Sequence, residues 1–183
     1  MYANDETRTS LTWIDSLLNP FCEIDWQTFA ASKLDRLKRS SSQSFISPGS
    51  GVAFRGIELR KSTAFQLRDE RSGATALIAP AVGEITDELS DAVNSSQAVL
   101  FDGTFWHNDE LSPIRPGART AREMNHLPIG DGSLELLRSS AASRKIYTHI
   151  NNTNPILMPG SRERTQVEQA GIEIACDGLE IVL

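Results

Sequence analysis

Three side chains suited to metal or proton chemistry stand out, Asp102 and His149 at the ends of apolar runs and His126 in the turn 126–130. The run Ala98-Val99-Leu100-Phe101 stops at Asp102 and is followed by Gly103-Thr104-Phe105-Trp106-His107. A short apolar run closed by a turn signal reads as a strand buried on both faces. Asp102 then lies at the strand's C-terminal end, the edge where open α/β sheets bind ligands. Gly103 lets the chain turn sharply there without a Cβ clash. The stretch Arg144-Lys145-Ile146-Tyr147-Thr148-His149 repeats the design, delivering His149 to the polar, proline-ended loop 150–155. A carboxylate and an imidazole together bind iron, zinc or manganese. Two ligands do not complete a catalytic site, which takes three protein ligands and an open position. The plainer reading of Asp102 is a turn-capping aspartate, and of each histidine a hydrogen-bonded structural one. His107 precedes Asn108-Asp109-Glu110 and reads as solvated. Asn151, Asn152 and Asn154 read as amides that hold the loop and orient His149, a common duty beside metal ligands. No nucleophile elbow, phosphate loop or His-Glu-x-x-His helix is present.

The elements that must position these residues follow from periodicity. Residues 7–18 read as a helix ended by Asn19-Pro20, and 21–29 as a short edge strand. Lys33, Arg36, Lys38 and Arg39 form a basic cluster, interrupted by Asp35, that reads as a solvated helix face. Residues 52–59 read as a strand with Val52, Phe54, Ile57 and Leu59 buried. Residues 64–67 and 74–78 read as a hairpin across Arg71-Ser72-Gly73. Thr86 caps a helix through Val93, and the strand to Asp102 follows, which makes a βαβ-like unit. Residues 108–117 form a polar loop, 119–124 a helical stretch and 126–130 a turn. Ser133 is expected to cap a helix through Ala141 before the strand to His149. Ser161 and Gly171 bound a charged helix. Residues 172–175 and 179–183 read as a closing hairpin around Asp177-Gly178. No repeat or linker interrupts residues 1–183, and one domain is the expectation.

Composition bounds the function. The 183 residues are 39% hydrophobic and 23% charged, which suits a soluble globular domain with a real core. A net charge of -6 argues against a nucleic-acid partner or an anionic membrane surface, both of which favour basic patches. No apolar run has the length of a membrane span. The acidic start Met1-Tyr2-Ala3-Asn4-Asp5-Glu6 lacks the features of a signal peptide, so a cytoplasmic location is expected. Cys22 and Cys176 lie far apart and read as free thiols, not as a structural zinc site.

Several of these stretches are similar to the coenzyme PQQ (pyrroloquinoline quinone) synthesis protein B family. They are 100–106, Leu-Phe-Asp-Gly-Thr-Phe-Trp; 108–110, Asn-Asp-Glu; 125–129, Asn-His-Leu-Pro-Ile; and 147–155, Tyr-Thr-His-Ile-Asn-Asn-Thr-Asn-Pro. Residues 177–181 and, more loosely, 79–84 also match, so the resemblance spans residues 75–183. It implies an α/β fold, the C-terminal half of a metallo-β-lactamase-like αββα sandwich. It implies a part in PQQ biosynthesis, by metal-dependent oxidation or hydroxylation of a Glu-Tyr-derived precursor. A carrier role for PQQ or its precursor, in transport, is the alternative. By position Asp102 matches the fold's metal-binding aspartate and His149 its last histidine ligand, with iron or zinc as the metal. His126 matches a histidine that faces the active site and would contact substrate or act as acid or base. The family is longer at its N-terminus, where it carries an Asp/His-rich metal motif and a cysteine zinc motif, and residues 1–74 replace neither. A second chain carrying the N-terminal half is therefore an expected partner, and a truncated remnant without metal the other outcome. Asn125 stands where the family usually has glycine, His107 where it has arginine, and residues 60–70 are shortened.

Overall fold

The computed structural model describes residues 52–182 (the backbone alone at Phe54) and the backbone of three short strands before them. The expected helix 7–18, the basic cluster 33–39 and Cys22 lie outside the described residues. The chain divides into two compact units, 1–43 and 44–183. In the first, β1 (Tyr2–Ala3) pairs parallel with β2 (Gln27–Thr28), two residues of the expected edge strand 21–29.

The second unit is built on one mixed seven-stranded sheet. Its strands are β3 (Ser44–Ile46), β4 (Val52–Glu58), β5 (Thr63–Asp69), β6 (Thr75–Ala79), β7 (Ala98–Asp102), β8 (Arg144–Thr148) and β9 (Glu173–Ile174), in that spatial order. Neighbours from β3 to β6 are antiparallel and those from β6 to β9 parallel. The expected hairpin is β5–β6, with Phe65 opposite Ile78, and Gly73 takes the left-handed φ of 74° that its tight turn needs. The crossover from β6 to β7 carries α1 (Asp87–Asn94), where the Thr86 hydroxyl accepts from Leu89 N at 3.2 Å as the cap.

Helix α1 lays Leu89, Ala92 and Val93 on the sheet face that carries Ile57, Leu77, Val99 and Phe101, all buried. Each such fully buried aliphatic or Phe side chain contributes about 1.5–3 kcal/mol. On β4 the buried positions are Ala53 and Ile57, with Leu59 just beyond; Val52 stays partly exposed. The alternation of a strand puts 53, 57 and 59 on one face, so Val52 could not share it. Strand β7 is buried on both faces at Ala98, Val99, Phe101 and Asp102, as its unbroken apolar run implied.

Three further expectations need correction. Ser133 does not cap a helix: it is the first residue of α2 (Ser133–Ser139), which stops short of Ala141, and its hydroxyl lies 3.0 Å from Tyr147 Oη. Tyr147 is fully buried, and a buried phenol needs a partner more than an exposed helix end does. The closing hairpin also does not form. β9 pairs with β8 alone, Asp177-Gly178 make a turn, and 179–182 are not strand. Arg144 grips Glu173 through Nε and Nη2 at 2.9 and 2.7 Å and reaches Glu180 O at 3.3 Å, so a side chain holds the tail where a strand was expected. The helical stretch 119–124 is reduced to one 3₁₀ turn, Arg122–Met124. α3 (Arg162–Gln169) has the expected Ser161 cap, its hydroxyl accepting from Arg164 N at 3.0 Å, and Gly171 follows with φ 69°.

Candidate metal and proton-transfer site

The parallel pairing of β7 and β8 sets Asp102 opposite Thr148, one residue before His149. Both strands therefore end side by side at the same sheet edge. Gly103 is required at this crossing, because a Cβ there would lie 2.9 Å from Tyr147 Cβ and 3.1 Å from Thr148 O. Its amide donates to Thr148 O at 2.8 Å and its carbonyl accepts from Asn154 Nδ2 at 2.8 Å. Asn154 is buried and also accepts from Ile156 N, so it locks the 149–155 loop to the β7 end. Glu110 adds a second tie, accepting from Trp106 N at 2.7 Å and from the Thr153 hydroxyl at 2.6 Å. The Asn154 amide acts on the backbone and the Asn151 amide on the Thr153 hydroxyl; the hydrogen-bond partner of the His149 ring is the Thr104 hydroxyl, 2.9 Å from Nδ1.

His126 arrives from a separate loop. Asn125 adopts the left-handed φ of 66°, which asparagine tolerates, and its side chain fills the space over Gly83 where a Cβ would clash at 2.4 Å. His126 N then donates to Ala121 O at 2.9 Å, and Leu127 N bonds Val82 O. The ring lands with Nδ1 2.7 Å from Asp102 Oδ2, edge-on to Phe105 at 5.9 Å and stacked on His149 at 5.4 Å. Asp102, His126 and His149 thus present ligand atoms all within 4.8 Å of one another. Asp102 is buried, His126 half-buried and His149 exposed, so the cluster opens to solvent on the histidine side. His107 is exposed beside Trp106 and does not join it.

The Asp102 carboxylate already carries four hydrogen bonds. Oδ1 accepts from Thr104 N at 3.0 Å and the Thr104 hydroxyl at 2.6 Å; Oδ2 accepts from Val82 N at 2.8 Å and His126 Nδ1. Two imidazoles and a carboxylate are a donor set that fits zinc or iron. Metal bonds of about 2.0–2.2 Å at tetrahedral angles set ligand atoms about 3.3–3.6 Å apart, so a pair at the outer limit of the cluster needs to close by about 1 Å. Sequence reasoning missed the Thr104 hydroxyl and the Val82 amide. Thr104 was visible as the second residue after Asp102 in an Asp-Gly-Thr turn; the Val82 amide carries no sequence signal.

Similarity to known proteins agrees with this geometry. The beta-lactamase superfamily domain model matches residues 21–150. Coenzyme PQQ synthesis protein B of Cupriavidus necator is 43% identical over 120 residues, which are 64% of this chain and 39% of that protein. The chain belongs to the beta-lactamase superfamily and, within it, to the coenzyme PQQ synthesis protein B family. The family's member from Klebsiella pneumoniae is 42% identical over 124 residues, 67% of this chain and 40% of that protein. Among solved structures, zinc-bound PqqB from Methylobacterium extorquens superposes with a TM-score of 0.76 at 25% identity, over 100% of this chain and 61% of that one. The chain therefore spans about two fifths of the length of these curated family members.

Proposed function

We propose that this chain serves PQQ biosynthesis as the part of a protein B-type protein that carries Asp102, His126 and His149. The observation that carries the reading is the convergence of these three side chains from three separate segments, at the C-terminal edge of the parallel strands. Asp102 and His149 would hold a zinc or iron ion, and a zinc-bound structure of PqqB from Methylobacterium extorquens supports a metal in the family. The chemistry such an ion would supply there is that of a Lewis acid. His126, half-buried against Phe105, would contact the substrate and hold or release a proton at Nε2, a task for which imidazole suits neutral pH. The finer chemistry proposed is oxidation or hydroxylation of the tyrosine ring in a Glu-Tyr-derived precursor, with dioxygen as the oxidant and source of the added oxygen, an external reductant supplying the other two electrons, and further ligands from a second chain or segment; of the two ions only iron would serve it, since zinc has no redox chemistry. A cytoplasmic place fits a biosynthetic role, and no helix among the described residues is long and apolar enough to cross a membrane.

The four hydrogen bonds that satisfy Asp102 without an ion favour a second reading, a metal-free carrier domain for PQQ or its precursor. Complementation separates the two. In cells lacking protein B, this chain, supplied with the remainder of a family member, should restore PQQ, and its His149→Ala variant should not. Equal restoration by the variant would support the carrier.

A further inference from the structure

The Thr104 hydroxyl lies 2.6 Å from Asp102 Oδ1, 2.9 Å from His149 Nδ1 and 2.9 Å from the His149 carbonyl oxygen. A threonine hydroxyl has one hydrogen to give, and the carboxylate and carbonyl can only accept. The short contact to an ionised carboxylate is the charge-assisted one and takes that hydrogen. His149 Nδ1 then faces an oxygen lone pair and must itself be the donor. A neutral imidazole with its hydrogen on Nδ1 keeps its lone pair on Nε2.

We propose that Thr104 is a positioning residue that fixes His149 in the Nδ1–H form. Asp102 then sets the lone-pair side of both rings, His126 by direct contact and His149 through the Thr104 hydroxyl. The backbone is bent to this end. His149 holds a left-handed φ of 54°, unfavourable for a residue with a Cβ, and its own carbonyl, 2.9 Å from the hydroxyl oxygen, takes only the weaker branch of the hydrogen given to Asp102. Closing the Asp-Gly-Thr turn does not explain the arrangement, since the Thr104 amide closes that turn without the hydroxyl. Where the pair of rings serves a metal, which rests on the proposed function, both Nε2 atoms are left as ligand or proton-carrying positions.

The test reads the tautomer in the metal-free full chain. Long-range proton–nitrogen NMR at about pH 8.5, above the ordinary imidazole range, should show the His149 hydrogen on Nδ1. Thr104→Val should lose that preference, and Thr104→Ser should keep it. Zinc titration of the same proteins should show affinity reduced about 10–100-fold in Thr104→Val and restored in Thr104→Ser. A wild-type His149 with its hydrogen on Nε2, or an unchanged tautomer in Thr104→Val, overturns the proposal. If Thr104→Val does not fold, the wild-type and Thr104→Ser spectra still decide. A chain that binds no zinc yet shows the Nδ1–H form supports the role of Thr104 and defeats the metal reading alone.

Discussion

Asp102 and His149 contribute differently to the molecule, and their variants should separate accordingly. Asp102→Ala leaves the Val82 and Thr104 amides and the His126 ring N–H without their acceptor at a buried position. Orphaned buried groups of this kind cost about 3–5 kcal/mol in sum, which urea denaturation should register. His149 is exposed, so His149→Ala should cost less than about 1 kcal/mol and is the cleaner probe of the site. A small loss for Asp102→Ala would contradict the four-bond description of its carboxylate. Asp102 and His149 were legible in the sequence, because an apolar run ending in a carboxylate or a histidine is a local signal; His126, in a turn after a polar stretch, was picked out by the family resemblance. Thr104 was less so: a threonine near a strand end reads first as a strand former. Its contact with His149 depends on the left-handed backbone at 149, which no local pattern announced.

The strand ends that carry the site depend on close packing between neighbours. Gly103→Ala places a methyl 2.9 Å from Tyr147 Cβ and must push β7 and β8 apart, at a cost of about 1–3 kcal/mol. A thermal melt should show it, and an unchanged melting temperature would deny that the close approach matters. Beneath the same strand, burial pushes the Tyr147 phenol well above its ordinary range, partly offset by its hydrogen bond with Ser133. The unfolded chain loses that proton near pH 10 while the folded one keeps it. Stability should therefore be level below about pH 10 and fall above it by up to about 1.4 kcal/mol per pH unit. Tyr147→Phe should abolish this share of the fall and leave the buried Ser133 hydroxyl unpaired, costing about 1–3 kcal/mol at neutral pH. An identical alkaline profile in Tyr147→Phe would count against it. The strands, hairpin and crossover helix were readable from periodicity and turn residues. The Ser133 cap and the closing hairpin were misread because both signals are local, while Tyr147 and Arg144, distant in sequence, claimed the partners.

In the unit formed by residues 44–183, the sheet face opposite α1 carries Phe65 and Leu67 of β5 beside Ile78 and Ala76 of β6. Phe65 is 45% exposed and the other three are half-buried, which leaves a contiguous apolar area. Exposed apolar patches of this kind drive association. Light scattering should show self-association that Phe65→Glu reduces; a monodisperse monomer with a cooperative melt would contradict it. Such a face carries no mark in a sequence read residue by residue, since alternation tells which side chains share a face and not what covers it. The most direct test of the function is elemental analysis of the purified chain and its His149→Ala variant. The convergence of Asp102, His126 and His149 predicts about one zinc or iron ion per chain, reduced at least tenfold in the variant. A chain free of metal after zinc and iron loading, or a variant that retains the full amount, would contradict the metal site.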